Sequence, residues 1–121
     1  MSNKDSAIEF LRLASSGNVR EAYEKYIHPD FRHHNPYFNG DRESLLIAME
    51  DAAVNHPNKF LNVQQAIEEG DRVAIHSHVR QESGADIAVV HIFRFQNDTI
   101  IELWDVGLEV PEGSPNENGM F

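Results

Sequence analysis

Two apolar-rich runs, Ile87 to Phe95 and Ile100 to Val110, flank the polar stretch Gln96-Asn97-Asp98-Thr99. Such a pattern predicts an antiparallel hairpin. A three-residue loop of Asn97, Asp98 and Thr99 pairs Phe95 with Ile101, Arg94 with Glu102, Phe93 with Leu103 and His91 with Asp105. Slipping by one residue would set Arg94 against Ile101 and Phe93 against Glu102, losing both the charge pair and the apolar pairs that stabilise a ladder. In the favoured register one face carries Ile87, Val89, His91, Phe93, Phe95, Ile101, Leu103 and Asp105. The opposite face carries Val90, Ile92, Arg94, Ile100, Glu102, Trp104 and Val106. Both are mainly apolar.

Upstream, the spacing changes to that of helices. Ala7, Ile8, Leu11 and Ala14 mark a helix over Ser6 to Ser15, with Gly17 as its stop. Asn18-Val19-Arg20-Glu21 reads as a capping box opening a second helix to about Ile27, ended by His28-Pro29. Asp41 caps a third, whose buried stripe is Leu45, Leu46, Met49, Ala52 and Ala53 before Pro57. From Phe60 the period becomes two: Leu61, Val63, Gln65 and Ile67 alternate with polar residues, and Gly70-Asp71 turns the chain into Val73 to Arg80. Gln81 to Asp86 turns it again into the hairpin. Three helices followed by about four antiparallel strands is an α+β order, with the helices packed in a curved sheet. Because three short helices cover only one side, the other, with Ile92, Ile100, Trp104 and Val106, predicts a homodimer. The tail Pro111 to Phe121 is expected to lie over the surface or a neighbouring subunit.

Composition narrows the function classes. With 121 residues the chain is the size of one domain, 1–121, long enough for a real core. A formal charge of −10, twenty acids against ten bases, opposes binding to nucleic acid, which requires a basic footprint. There is no cysteine, so thiol nucleophiles and thiolate metal sites are excluded. The polar start and the lack of a long apolar run point to a soluble, cytoplasmic protein with no membrane partner.

Asp105 is the leading chemical candidate. A carboxylate in an interior-facing register is costly unless paired or functional, and desolvation moves it toward the range of a general base. The alternative is a structural acid bonded to His91 or to a backbone amide. His91 could in turn orient Asp105, shuttle protons, or simply satisfy it. His76-Ser77-His78 sets two imidazoles on one strand face, a spacing that can chelate a metal. With Gly70 and Glu82 it resembles the first metal motif of the cupins, although the second motif is absent and a helical first half does not suit a jelly roll. Otherwise the pair lines a polar pocket or an exposed strand. His33-His34-Asn35-Pro36-Tyr37, in an irregular link between helices, is dense in hydrogen-bonding groups and reads as a binding loop or as plain polar surface.

Helices first, a curved antiparallel sheet, His34-Asn35-Pro36 with Gly40 shortly after, and Glu102-Leu103-Trp104-Asp105-Val106 on the last strand together resemble the SnoaL-like polyketide cyclase branch of the NTF2-like superfamily. That resemblance covers nearly the whole chain. It implies a cone with a deep apolar cavity, often dimeric through the outer sheet face, and acid–base chemistry without metal or organic cofactor. Asp105 would be the base that removes a proton α to a carbonyl, opening an aldol condensation or isomerisation. His91, His34, Asn35 or Tyr37 would hydrogen-bond the enolate oxygen, and His76, His78, Phe93 and Leu103 would complete the site around a small apolar molecule. The chain departs from relatives in carrying Leu103 where a His often stands two residues before the Asp. The same fold hosts isomerases, hydrolases, dehydratases and non-catalytic binders, so a small-molecule-binding module is the first alternative and a metal-dependent cupin-like enzyme the second.

Overall fold

The computed structural model describes residues 1–121. Helix α1 (Asn3–Ser15) begins earlier than the apolar spacing indicates. Its start is a capping box in which Ser2 Oγ accepts from the Asp5 amide at 3.1 Å and Asp5 accepts from the Ser2 amide. Gly17, with φ of +96°, makes the left-handed turn after it. Helix α2 (Val19–Tyr26) follows at the expected place, although Asn18 makes no side-chain cap. Asp41 does cap helix α3 (Arg42–Asn55), its Oδ2 accepting from the Ser44 amide at 3.0 Å.

The sheet has five strands rather than four. Strand β1 (Ile27–His33) occupies much of the link expected to be irregular, and it pairs parallel to the last strand. Its Pro29 lacks an amide proton, which an edge strand tolerates, and the pairing is irregular between Ile27 and Arg32. Strands β2 (Asn58–Glu69), β3 (Arg72–Gln81), β4 (Asp86–Gln96) and β5 (Thr99–Glu109) form the antiparallel remainder, in spatial order β1-β5-β4-β3-β2.

The β4–β5 register is Arg94 opposite Glu102, Phe93 opposite Leu103 and His91 opposite Asp105, as the cross-strand pairs demand. Near the turn the expectation fails. Asn97 and Asp98 both adopt positive φ, 51° and 67°, so the loop has two residues and Gln96 pairs with Thr99. An irregularity between Arg94 and Phe95 restores the register, leaving Phe95 opposite Ile100. Ile100 is therefore fully buried in the core and not on the outer face as the unbulged pairing predicts.

Apolar side chains of the three helices meet the concave face of the sheet. Phe10 and Leu11 from α1, Ala22, Tyr23 and Tyr26 from α2, and Leu45 and Leu46 from α3 pack on Val73, Ile75, Phe93, Phe95, Ile100 and Leu103. Phe10 meets Phe93 edge to face, with centroids 5.9 Å apart. No helix is long and apolar enough to cross a membrane.

Candidate active site

Helices α1 and α3 both pack against the concave face of the sheet. Between their C-terminal ends and strands β2 to β4 lies a cavity of about 300 Å³. Leu11, Ala14, Met49, Ala53, Leu61, Val79, Ile87 and Val89 give it apolar walls, and it contains no acidic or basic side chain other than two histidines. His56 is one of them, at the α3 C-cap, and His91 is the other.

His91 borders the cavity, while its Nδ1 is sealed from solvent and has no hydrogen-bond partner within the chain. The ring stacks against Phe93, with centroids 5.9 Å apart. Burial drives its pKa down to about 4, against an opposing pull from the Asp105 charge, so the imidazole is neutral at pH 7.

Directly across the ladder, Asp105 is similarly under-satisfied. Its Oδ2 accepts a hydrogen bond from Asn35 Nδ2 at 3.1 Å, and its buried Oδ1 has none. Buried polar atoms left unpaired are uncommon, and functional sites are among the places that hold them. Asn35 is itself fixed by its neighbours. Its Oδ1 accepts from the Tyr37 amide at 3.0 Å, and its backbone amide donates to His33 Nδ1 at 3.1 Å. His33 Nε2 in turn donates to the Asn39 carbonyl at 2.7 Å. His33, nearly fully buried, thus braces the loop that presents Asn35 to Asp105. Its presence in the polar loop was visible in the sequence, but its role depends on β1, whose parallel pairing brings this loop beside β5.

Two more polar groups occupy the same interior. Tyr23 lies under the Arg42 guanidinium, 5.2 Å from the ring centroid. Burial raises the phenol pKa, opposed by Arg42 and reinforced by the Asp105 charge. Ser77, on the concave face of β3 opposite Val89, is fully buried with its Oγ unpartnered.

The remaining residues expected at the site lie elsewhere. His34 faces outward, stacked on Trp104 with centroids 4.8 Å apart, its Nε2 donating to Glu102 at 2.7 Å. Tyr37 is 85% exposed. Phe93 and Leu103 belong to the sealed core and do not line the cavity. His76 and His78 lie on the convex face, since the buried positions of β3 are Val73, Ile75, Ser77 and Val79. There His76 Nε2 donates to the Met120 carbonyl at 2.9 Å, His78 Nε2 donates to Asp86 at 2.9 Å, and Phe121 stacks on His78 at 3.8 Å. No three His, Asp or Glu side chains converge to hold a metal, and Glu82 sits in a turn, so the cupin-like reading loses its motif.

On that convex face Glu102, only 4% exposed, is ringed by nitrogen donors. Arg32 Nε and Arg94 Nε each donate to it at 3.0 Å, alongside His34. Burial alone would raise its pKa; the three donors outweigh that and hold it at about 2.

A SnoaL-like domain family model matches residues 7–103. No curated protein matches the sequence. Among solved structures, an NTF2-like protein of unknown function from Burkholderia xenovorans aligns with a TM-score of 0.75 at 13% identity, covering 93% of this chain and 88% of its own. IdmH, a candidate polyketide cyclase from Streptomyces antibioticus, aligns with a TM-score of 0.70 at 19% identity, covering 88% and 92%. A candidate polyketide cyclase from Sinorhizobium meliloti gives 0.70 at 14%, covering 88% and 100%. These likenesses establish the NTF2-like fold.

Proposed function

The chain belongs to the SnoaL-like family, and from that premise we propose that it is a cofactor-independent acid–base enzyme acting on a small apolar carbonyl compound. The reaction is of the aldol-cyclase or isomerase type, with Asp105 as general base. One observation carries the reading: Asp105 has one oxygen held by Asn35 and the other buried without a partner, directly opposite a neutral His91 that borders an apolar cavity.

Each feature has a chemical use. Fixing Oδ2 through Asn35 leaves Oδ1 as the lone pair that takes a proton from the carbon α to a carbonyl. Neutral imidazole carries one N–H, and a donor aimed at the developing enolate oxygen supplies a few kcal/mol of transition-state stabilisation in a dry site. The chain's own groups suffice for both steps. Asp105→Asn should keep the fold and abolish turnover of a substrate recovered from the protein's own host; persistent turnover would remove Asp105 as the base.

The reading includes a homodimer through the convex sheet face around Ile92, Trp104 and Val106, without Ile100. Val106 is 69% and Leu108 58% exposed, an apolar strip that a lone chain leaves in water. Light scattering that finds only monomer at micromolar concentration would contradict it. A non-catalytic binding module is favoured by a different observation, that Asp105 is not among the residues lining the apolar cavity. Under that reading Asp105→Asn leaves ligand capture, the whole function, intact.

A further inference from the structure

Along the concave side of β5 the positions after Leu103 are Asp105 and Gly107. A glycine inside a strand costs roughly 0.5–1 kcal/mol relative to alanine, and it is usually explained by a left-handed backbone, a bulge or the close approach of other atoms. None applies to Gly107. Its φ is not positive, it pairs in register with Val89, and a Cβ added there would come no nearer than 3.7 Å to any atom. The side chain is missing although there is room for it.

The direction of that room is informative. The nearest side-chain atoms to such a Cβ would be the Cγ2 methyls of Ile87 and Val89, and both residues line the cavity. Gly107 does not itself line the cavity; its bare, exposed backbone lies beside two residues that do, with Asp105 two residues back on the same face. Asp105 itself does not line the cavity, and His91 stands at that end. The pairing of β1 with β5 ends at Leu103, so nothing in the sheet covers β5 beyond that point on its other edge. Gly107 stands opposite Val89, the next pair on that face beyond His91 and Asp105, so its backbone borders the space between the cavity and that acid.

We propose that Gly107 is a substrate-contacting, specificity-determining position: its exposed peptide is the shelf on which part of an apolar carbonyl compound rests beside Asp105. This rests on the reading of the cavity as a substrate site, and it adds where the substrate lies and which residue limits its width. A large side chain at position 107 fills the shelf, whereas a methyl leaves most of it open.

The test uses the full chain and a fluorescent propionyl-dimethylaminonaphthalene dye, an uncharged aromatic ketone, with binding read from its emission and folding from the melting temperature. Gly107→Ala should bind the dye within about twofold of the unsubstituted protein, while Gly107→Leu should bind at least about tenfold more weakly, a difference of about 1.4 kcal/mol, with a melting temperature no lower. Gly107→Val, β-branched and suited to a strand, repeats the comparison should leucine disturb folding. Undiminished binding by both large variants would overturn the proposal, as would equal loss with alanine or no binding by the unsubstituted protein. Dye binding involves no proton transfer, so failure of Asp105 as a base leaves this result standing, and failure here leaves the base untouched.

Discussion

Glu102 and Asp105, three residues apart on strand β5, occupy opposite faces and meet opposite conditions. Glu102 is buried on the convex side with Arg32, Arg94 and His34 on its two oxygens, and its pKa falls to about 2. Asp105 looks into the concave side with one amide on one oxygen, an empty second oxygen, and an imidazole opposite that burial keeps neutral. A carboxylate whose two oxygens are both taken up by donors has no lone pair left for chemistry. One that is anchored on one oxygen and free on the other keeps one. The difference separates an acid that holds the sheet together from one that is available to react.

The largest expected effect sharpens this contrast on the catalytic side. Asp105→Asn should lower turnover about 10²- to 10⁴-fold, the usual worth of a positioned base, with the melting temperature nearly unchanged. Glu102→Ala should show the reverse. It strands two guanidinium groups and the His34 ring nitrogen, and because Arg32 and His34 remain half in water the cost is about 2 kcal/mol of stability, measurable by urea unfolding, with turnover retained. The pH dependence of that stability has a definite sign: Glu102 is depressed in the fold, so its contribution is present above the unfolded carboxylate range and is lost as pH falls from about 4.5 toward 2.

His91 produces an acid-side loss by a different route. Its folded pKa is about 4 against 6.5 unfolded, so between those values the unfolded chain takes up a proton that the native chain refuses. Stability therefore falls with pH across that window, by at most about 1.4 kcal/mol per pH unit, and His91→Gln should flatten the slope there. Asn35→Ala should give the smallest effect, a roughly tenfold drop in kcat corresponding to one lost hydrogen bond, with KM little changed because Asn35 touches Asp105 and does not line the cavity.

The comparison also explains what could be read from the sequence. Hydrophobic period and cross-strand pairing specify the three helices, the four antiparallel strands and the register that puts His91 opposite Asp105, because a slip would disrupt several pairs at once. Strand β1 escapes, since between Ile27 and His33 only Phe31 and the two end residues are buried and Pro29 breaks the period. Missing β1 hides why Asn35 reaches Asp105 and makes His34 look like a site residue rather than a partner of Glu102. Ile100 changes face through one irregularity beside the Asn97-Asp98 turn, a local choice that leaves no mark on the hydrophobic pattern. His76 and His78 go to the convex side because Ser77, the small polar residue between them, is the one that points inward.

The central claim is that Asp105 is a free, anchored base and Glu102 is not. Its most direct test follows deuterium incorporation α to the carbonyl of a cavity-bound ketone in D₂O by NMR, a half-reaction that needs no knowledge of the natural product. Protein-accelerated exchange that survives Glu102→Gln and disappears in Asp105→Asn is the predicted result. Exchange at the same rate in Asp105→Asn as in the unsubstituted protein would contradict it.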